Sequence, residues 1–169
     1  MQDLMNFEVV SELLGLDARD EKRNRMLLSA VSEEICLFLD RNLLTGTRTD
    51  RQQTNLGEFY PEQYPVREFI EIVDDKTGAH LELTAESAIQ DISRPDAHSN
   101  RAYRLKIERD RMIRFTYRYG YELTEIPALI QACVLDMIRD RLEGLNPTKE
   151  AEQTADRLKD INVYRRLYL

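Results

Sequence analysis

Residues able to do chemistry are few in this chain, and their spacing does not gather them. The two histidines, His80 and His98, have no partners at metal-ligand or triad spacing. Cys36 and Cys133 both fall on helical apolar stripes, where a lone cysteine behaves as a small buried hydrophobe. That usage fits synthesis in a reducing cytoplasm. The six glycines form neither a GxGxxG nor a GxxxxGK phosphate loop. Asp74-Asp75 and Glu33-Glu34 are adjacent carboxylates expected in a turn and on a helix surface, both solvated. Asp136 and Asp140 stand one helical turn apart and could share a cation, but Arg139 and Arg141 beside them favour a salt-bridged face. The residues therefore point to no catalytic centre, no cofactor and no metal, and the expectation is a protein that is not an enzyme.

The elements that would position any site begin with Glu125–Glu143, EIPALIQACVLDMIRDRLE. Ile126, Leu129, Ile130, Cys133, Val134, Met137, Ile138 and Leu142 recur at i, i+3 and i+4, which places them on one face of a helix. Thr124 suits the N-cap, Pro127 the first turn and Gly144 the end. At 169 residues, with 42% hydrophobic and 33% charged residues, the chain suits one domain with a substantial core. No apolar run approaches the ~20 residues that a membrane span needs. The N-terminus shows no basic region followed by an apolar one, so no secretory signal is expected.

Asn6 is placed to cap a helix from Phe7 to Leu14 that Gly15 ends. A longer helix follows from about Asp20 to Leu43, with Leu27, Val31, Ile35, Phe38 and Leu39 on one stripe. Thr45 to Asn55 is polar and reads either as a solvated loop or as one arm of a long hairpin. Phe59-Tyr60-Pro61 and Tyr64-Pro65 should be extended. Val66–Val73 reads as a strand, turning at Asp74–Gly78 into a short return through Leu81 and Leu83. Ala85–Asn100 reads as a surface excursion. A second hairpin is expected to pair Tyr103, Leu105 and Ile107 with Ile113, Phe115, Tyr117 and Tyr119 across a turn at Glu108–Arg111. After Leu145-Asn146-Pro147, a polar helix from about Lys149 to Asp160, with Thr148 as its cap, leads to an apolar, aromatic terminus.

The formal charge is −7, from 24 Lys and Arg against 31 Asp and Glu, which disfavours an electrostatic grip on nucleic acid. The charge is uneven. Arg101 to Tyr119 holds seven basic residues and two acidic ones. Arg104, Lys106, Arg114 and Arg118 are placed on the polar face of the second hairpin, which reads either as a solvated sheet face or as a surface for a neighbouring copy or another partner.

Several segments, in order, resemble the phage head–tail connector family, also called adaptor or head-completion proteins. Phe7–Asp17 is similar to the family's short first helix ending in a Leu-x-Asp turn, and Thr45-Gly46 to the junction after its long helix. Tyr64-Pro65-Val66-Arg67 resembles a Tyr-Pro-Val step, and Arg114–Tyr121 an aromatic strand end with Gly120-Tyr121. Ile126-Pro127 and the helix after it match next, then Tyr164-Arg165-Arg166-Leu167 as a Tyr-Arg ending. The insert at 85–100 and the extended last helix depart from the family.

This resemblance implies a mainly α fold with a small antiparallel β extension (an α+β chain): a helical core over 1–144 carrying one or two β-hairpins, and a C-terminal helical arm over 145–169. It implies a structural connector at the virion neck, made in the bacterial host cytoplasm, with the portal protein and a stopper or tail-completion protein as partners. Copies would form a ring of about twelve under the portal, extending a channel through which genome DNA passes without specific binding, with no membrane contact. The family's C-terminal arm reaches the portal, so Val163, Tyr164, Arg165, Arg166, Leu167, Tyr168 and Leu169 become the expected portal-docking segment. The alternative is a DNA-binding packaging accessory protein that uses the basic hairpin with Tyr117 and Tyr119.

Overall fold

The computed structural model describes residues 3–84, 102–144 and 147–164. The chain forms two compact units. Among the described residues, one combines the chain up to Leu44 with the chain from Tyr121 to Tyr164, and the other is Thr45–Gly120.

The first unit is helical. Helix α1 (Phe7–Leu14) starts where Asn6 Oδ1 accepts the Glu8 N–H at 2.8 Å, and it ends at Gly15 with φ 62°. A 3₁₀ turn capped by Asp17 leads into α2 (Glu21–Leu39). This helix stops four residues earlier than its apolar pattern predicts. Asp40 takes the left-handed conformation (φ 53°), and the Arg41 N–H then closes on the Cys36 carbonyl at 3.2 Å. Leu28, Val31, Ile35 and Leu39 are buried along α2. The preceding chain lies against this helix: the Leu4 N–H donates to Ser32 Oγ at 3.0 Å, and Ser29 Oγ donates to Asp3 at 2.7 Å.

Helix α3 (Ala128–Leu142) begins after Pro127 rather than at Glu125. Glu122 and Glu125, not Thr124, cap the 3₁₀ turn before it, through a reciprocal capping box. Ile130, Cys133, Val134, Met137 and Ile138 are buried on α3, while Leu129 and Leu142 stay exposed at the margins of the stripe. Helix α4 (Pro147–Asp160) packs on α3, although its polar composition predicts little hold on a core. Leu158, Ile161 and Tyr164 are buried there, and Arg157 reaches both Asp136 (3.5 Å) and Asp140 (3.6 Å).

The second unit overturns the expectation of a mainly α chain with a small β extension. Among the described residues it contains five strands with a core of their own, so the fold is α+β with a full β unit. Strands β1 (Gly46–Gln53), β3 (Val66–Asp74) and β5 (Met112–Tyr119) form an antiparallel sheet in the order β1-β5-β3. Strands β2 (Glu58–Phe59) and β4 (Tyr103–Arg104) form a second, two-stranded sheet. The predicted second hairpin does not exist: Tyr103 pairs with Phe59, and β5 lies between two partners that are distant in sequence. The first hairpin survives as a short return, with a Val73–His80 bridge and the Leu81 N–H on the Ile72 carbonyl at 2.9 Å. The predicted excursion at Ala85–Asn100 lies outside the described residues.

Alternation on β5 explains the core. Ile113, Phe115, Tyr117 and Tyr119 point inward, while Arg114 and Arg118 point out. Phe59, Phe69 and Tyr103 close over them, with Phe59 and Phe115 ring centroids 4.7 Å apart. Aromatic pairs of this geometry contribute about 0.5–1.5 kcal/mol each beyond the area they bury. Phe115→Ala is expected to lower stability by about 3–5 kcal/mol. Urea unfolding checks this, and a loss below about 1 kcal/mol would show that the aromatic cluster is not the core of this unit.

Candidate docking surfaces

Three of the motif segments meet at one end of the three-stranded sheet. Gly46 on β1 and Val66 on β3 are both register partners of Tyr119 on β5. The Tyr64–Pro65 peptide is cis, and the Pro65 carbonyl accepts the Gly120 N–H at 2.9 Å. Arg67 Nε donates to the Gly120 carbonyl at 2.7 Å. Gly46 is required by contact: a Cβ there would lie 2.6 Å from the Tyr119 hydroxyl oxygen. Gly120 takes φ 89°, a conformation that side chains resist.

Two polar latches hold the rest of this unit. Tyr117 is fully buried, and its hydroxyl donates to Asp50 Oδ2 at 2.7 Å and accepts the Gln63 N–H at 2.8 Å. Asp50 also accepts the Glu62 N–H at 2.9 Å and pairs with Arg48, which in turn binds Glu62. The latch fastens the loop around Pro61 to the sheet. Burial, followed by the bond to Asp50, pushes the Tyr117 phenol far above its ordinary value, which favours the protonated hydroxyl that the latch requires. Cys133 is similar: burial pushes its thiol up to about 12, which favours the neutral thiol.

The second latch is Asp110. Its carboxylate accepts the Gly57 N–H at 2.9 Å and the Thr54 hydroxyl at 3.2 Å, and backbone N–H bonds hold its pKa below the ordinary aspartate value. It clamps the tight turn Asn55–Glu58, where the Asn55 N–H meets the Glu58 carbonyl at 3.0 Å and the Glu58 N–H meets the Asn55 carbonyl at 2.9 Å. Both central residues have positive φ, 52° at Leu56 and 79° at Gly57, the pattern of a type I′ turn. Gly57 suits it. Leu56 does not: a non-glycine residue held there costs about 1–2 kcal/mol. Sequence reasoning missed Leu56, which lies just past the end of a polar stretch and carries no periodic signal.

The four basic residues expected on one hairpin face are not on one face. Arg104 sits in the small sheet and pairs with Glu58. Lys106 pairs with Glu82 at 3.1 Å. Arg114 and Arg118 share the outer face of β5, where Arg118 meets Glu68 at 3.1 Å and Arg114 stands directly opposite Arg51. Arg104 therefore belongs to the small sheet, Lys106 to the bend that follows it, and Arg114 and Arg118 to β5, because β4 pairs with β2. Tyr117 and Tyr119 are buried, so neither offers a ring on which a base could stack. Asp136 pairs with Arg139 as its spacing predicts, but Asp140 pairs with Arg157 of α4 rather than with Arg141, which meets Glu34. Among the described residues no carboxylate, histidine and cysteine cluster could hold a metal ion.

Of the expected portal-docking segment, Val163 is 58% exposed while Tyr164 is buried in the helical unit. Arg165, Arg166, Leu167, Tyr168 and Leu169 lie outside the described residues.

The Asp110 clamp makes stability depend on pH. A carboxylate held below the ordinary value of 3.8 stabilises the fold above that value, and the contribution is lost as pH falls below it. Acid unfolding monitored by circular dichroism is expected to show this fall. Asp110→Asn should weaken the protein at neutral pH and flatten the acid limb, whereas an unchanged acid limb would remove the clamp from the account. Tyr117→Phe, which deprives Asp50 of a buried donor, is expected to lower stability by about 1–3 kcal/mol in the same assay.

No family model matches the chain, and no curated protein matches it.

Proposed function

We propose that this chain is a structural head–tail connector of a tailed phage or phage-like element. In this reading copies form a ring beneath the portal at the virion neck, extend the DNA channel and receive the stopper or tail. The observation that carries the reading is the convergence of Thr45-Gly46, Tyr64-Pro65-Val66 and Tyr119-Gly120. These three pieces of the resemblance are far apart in the chain, yet Gly46 and Val66 are both cross-strand partners of Tyr119.

The chain works by shape rather than by turnover. Its buried tyrosine and cysteine stay protonated, and Asp50 and Asp110 fasten loops. A ring requires two different complementary surfaces on each copy, and a helical unit joined to a β unit supplies them. The outer face bearing Arg114 and Arg118 meets a neighbouring copy or the tail-side partner. A net charge of −7 suits a wall past which DNA slides without adhering.

Docking to the portal is assigned to the terminal segment from Val163 to Leu169. Because Tyr164 belongs to the helical core, the informative deletion removes only residues 165–169. The shortened protein is expected to keep the wild-type melting temperature and to lose binding to the portal protein of the same element. Electron microscopy of the full chain mixed with that portal should show an added ring at the neck. Portal binding that survives the deletion removes the docking assignment, and the absence of any ring removes the connector reading.

A further inference from the structure

The two edges of the three-stranded sheet are not alike. The outer edge of β3 is broken by register shifts between Val66 and Glu68 and between Phe69 and Glu71, and its far end is met by the return at His80 and Leu81. Such interruptions keep other strands away. Strand β1 has none. It runs from Gly46 to Gln53 against β5 in unbroken register, and among the described residues no strand lies along its other side. The Thr54 N–H reaches the Arg111 carbonyl at 2.9 Å and extends that register, so the even-numbered residues of β1 bond to β5. The main-chain groups of Thr47, Thr49, Arg51 and Gln53 therefore point outward, and no hydrogen bond meets them among the described residues. Asn55 is next in this row, and there Glu58 meets it. The chain then dips under β1, where the Tyr60 and Glu62 N–H groups donate to the inward side chains of Gln52 and Asp50.

The same residues carry their side chains on the solvent face, beside Arg114, Thr116 and Arg118 of β5. Arg51 stands directly opposite Arg114 in a non-hydrogen-bonded pair, the closer of the two kinds, where like charges destabilise. Arg51 is answered by Asp75 and Arg118 by Glu68, whereas Arg114 has no ion-pair partner among the described residues. A surplus positive charge thus lies one strand in from an open edge. A strand added to β1 would lie about 4.8 Å beyond it, so a carboxylate opposite Arg51 would be about 10 Å from the Arg114 main chain, a span that two long side chains close. A second copy of β1 does not supply that acid, because its solvent face carries only Thr47, Thr49, Arg51 and Gln53.

We infer that the β1 edge takes an extended, acidic segment of a partner protein as a fourth strand. The segment's main chain pairs with Thr47, Thr49 and Arg51, and its carboxylates lie beside Arg51 and Arg114. The inference goes beyond the connector reading and does not depend on it.

The probe is a short, capped, fluorescent peptide that alternates glutamate with valine, and its binding is followed by fluorescence anisotropy. The wild-type chain is expected to bind it saturably below millimolar concentration, and to bind the version with lysine for glutamate at least about tenfold more weakly. Thr49→Pro removes one outward N–H and no bond to β5, so it should fold and lose binding. Arg114→Gln relieves the like-charge pair, so it should melt no lower than wild type and bind about tenfold more weakly. The glutamate peptide N-methylated at the residues that face β1 keeps its charge but cannot pair, and it should not bind, a test of the edge that leaves the protein unaltered. Failure of the wild-type chain to bind the glutamate peptide overturns the inference, as does binding that either variant or N-methylation leaves unchanged. Single-stranded DNA bound in preference to the peptide overturns it in favour of a nucleic-acid partner. A dimer of the chain alone that Thr49→Pro dissolves overturns it in favour of self-pairing. The peptide assay involves neither portal nor ring, so its failure leaves the connector reading standing.

Discussion

The β unit depends on the period-two alternation of β5. Two strands register against Met112–Tyr119, and every second residue of that strand is buried. A slip of one residue would turn Phe115 and Tyr117 outward and bring Arg114 and Arg118 into the core. Burying unpaired guanidinium groups is far more costly than any gain available at the surface. Tyr117 adds a sharper condition, because its buried hydroxyl must find partners. Asp50 on β1 and the Gln63 N–H supply them, so one side chain joins the sheet, its edge strand and the loop ahead of β3.

In the helical unit the comparison of magnitudes runs the other way. The ion pairs that Arg157 makes with Asp136 and Asp140 are partly exposed, and such pairs contribute at most about 1 kcal/mol each. Burial of Leu158 and Ile161 contributes about 1.5–3 kcal/mol per side chain. Thin apolar content therefore suffices when it is placed at the right positions. Arg157 adds orientation: reaching Asp136 and Asp140 on successive turns of α3, it sets how α4 lies along that helix.

Much of the helical unit was legible in the sequence. Asn6 and Gly15 bracket α1, and the repeats on α2 and α3 identify most of the buried face. The ends were less legible, since Asp40 stops α2 by a backbone conformation that composition does not announce. Strands β3 and β5 were readable because their inward residues are apolar. Strand β1 was not, because the positions it turns inward are Arg48, Asp50 and Gln52, whose polar groups are met by Glu62, Tyr117 and the Tyr60 N–H, all outside the strand. The pairing of β5 was misassigned for a related reason. Alternation shows which face is buried but not which strand lies alongside, so nearness in sequence misleads. Arg114 and Arg118 were found by charge, whereas the turn at Leu56 depends on a φ angle that no residue pattern reveals.

The chain enters the β unit at Gly46 and leaves it at Tyr119, and those two residues face each other across the sheet. Immediately outside, Leu44 and Tyr121 bridge, and the Tyr121 N–H binds the Leu43 carbonyl at 2.7 Å. Entry and exit thus share a single doorway. A module attached in this way can be lengthened, exchanged for another or excised across a short splice without rethreading the helices.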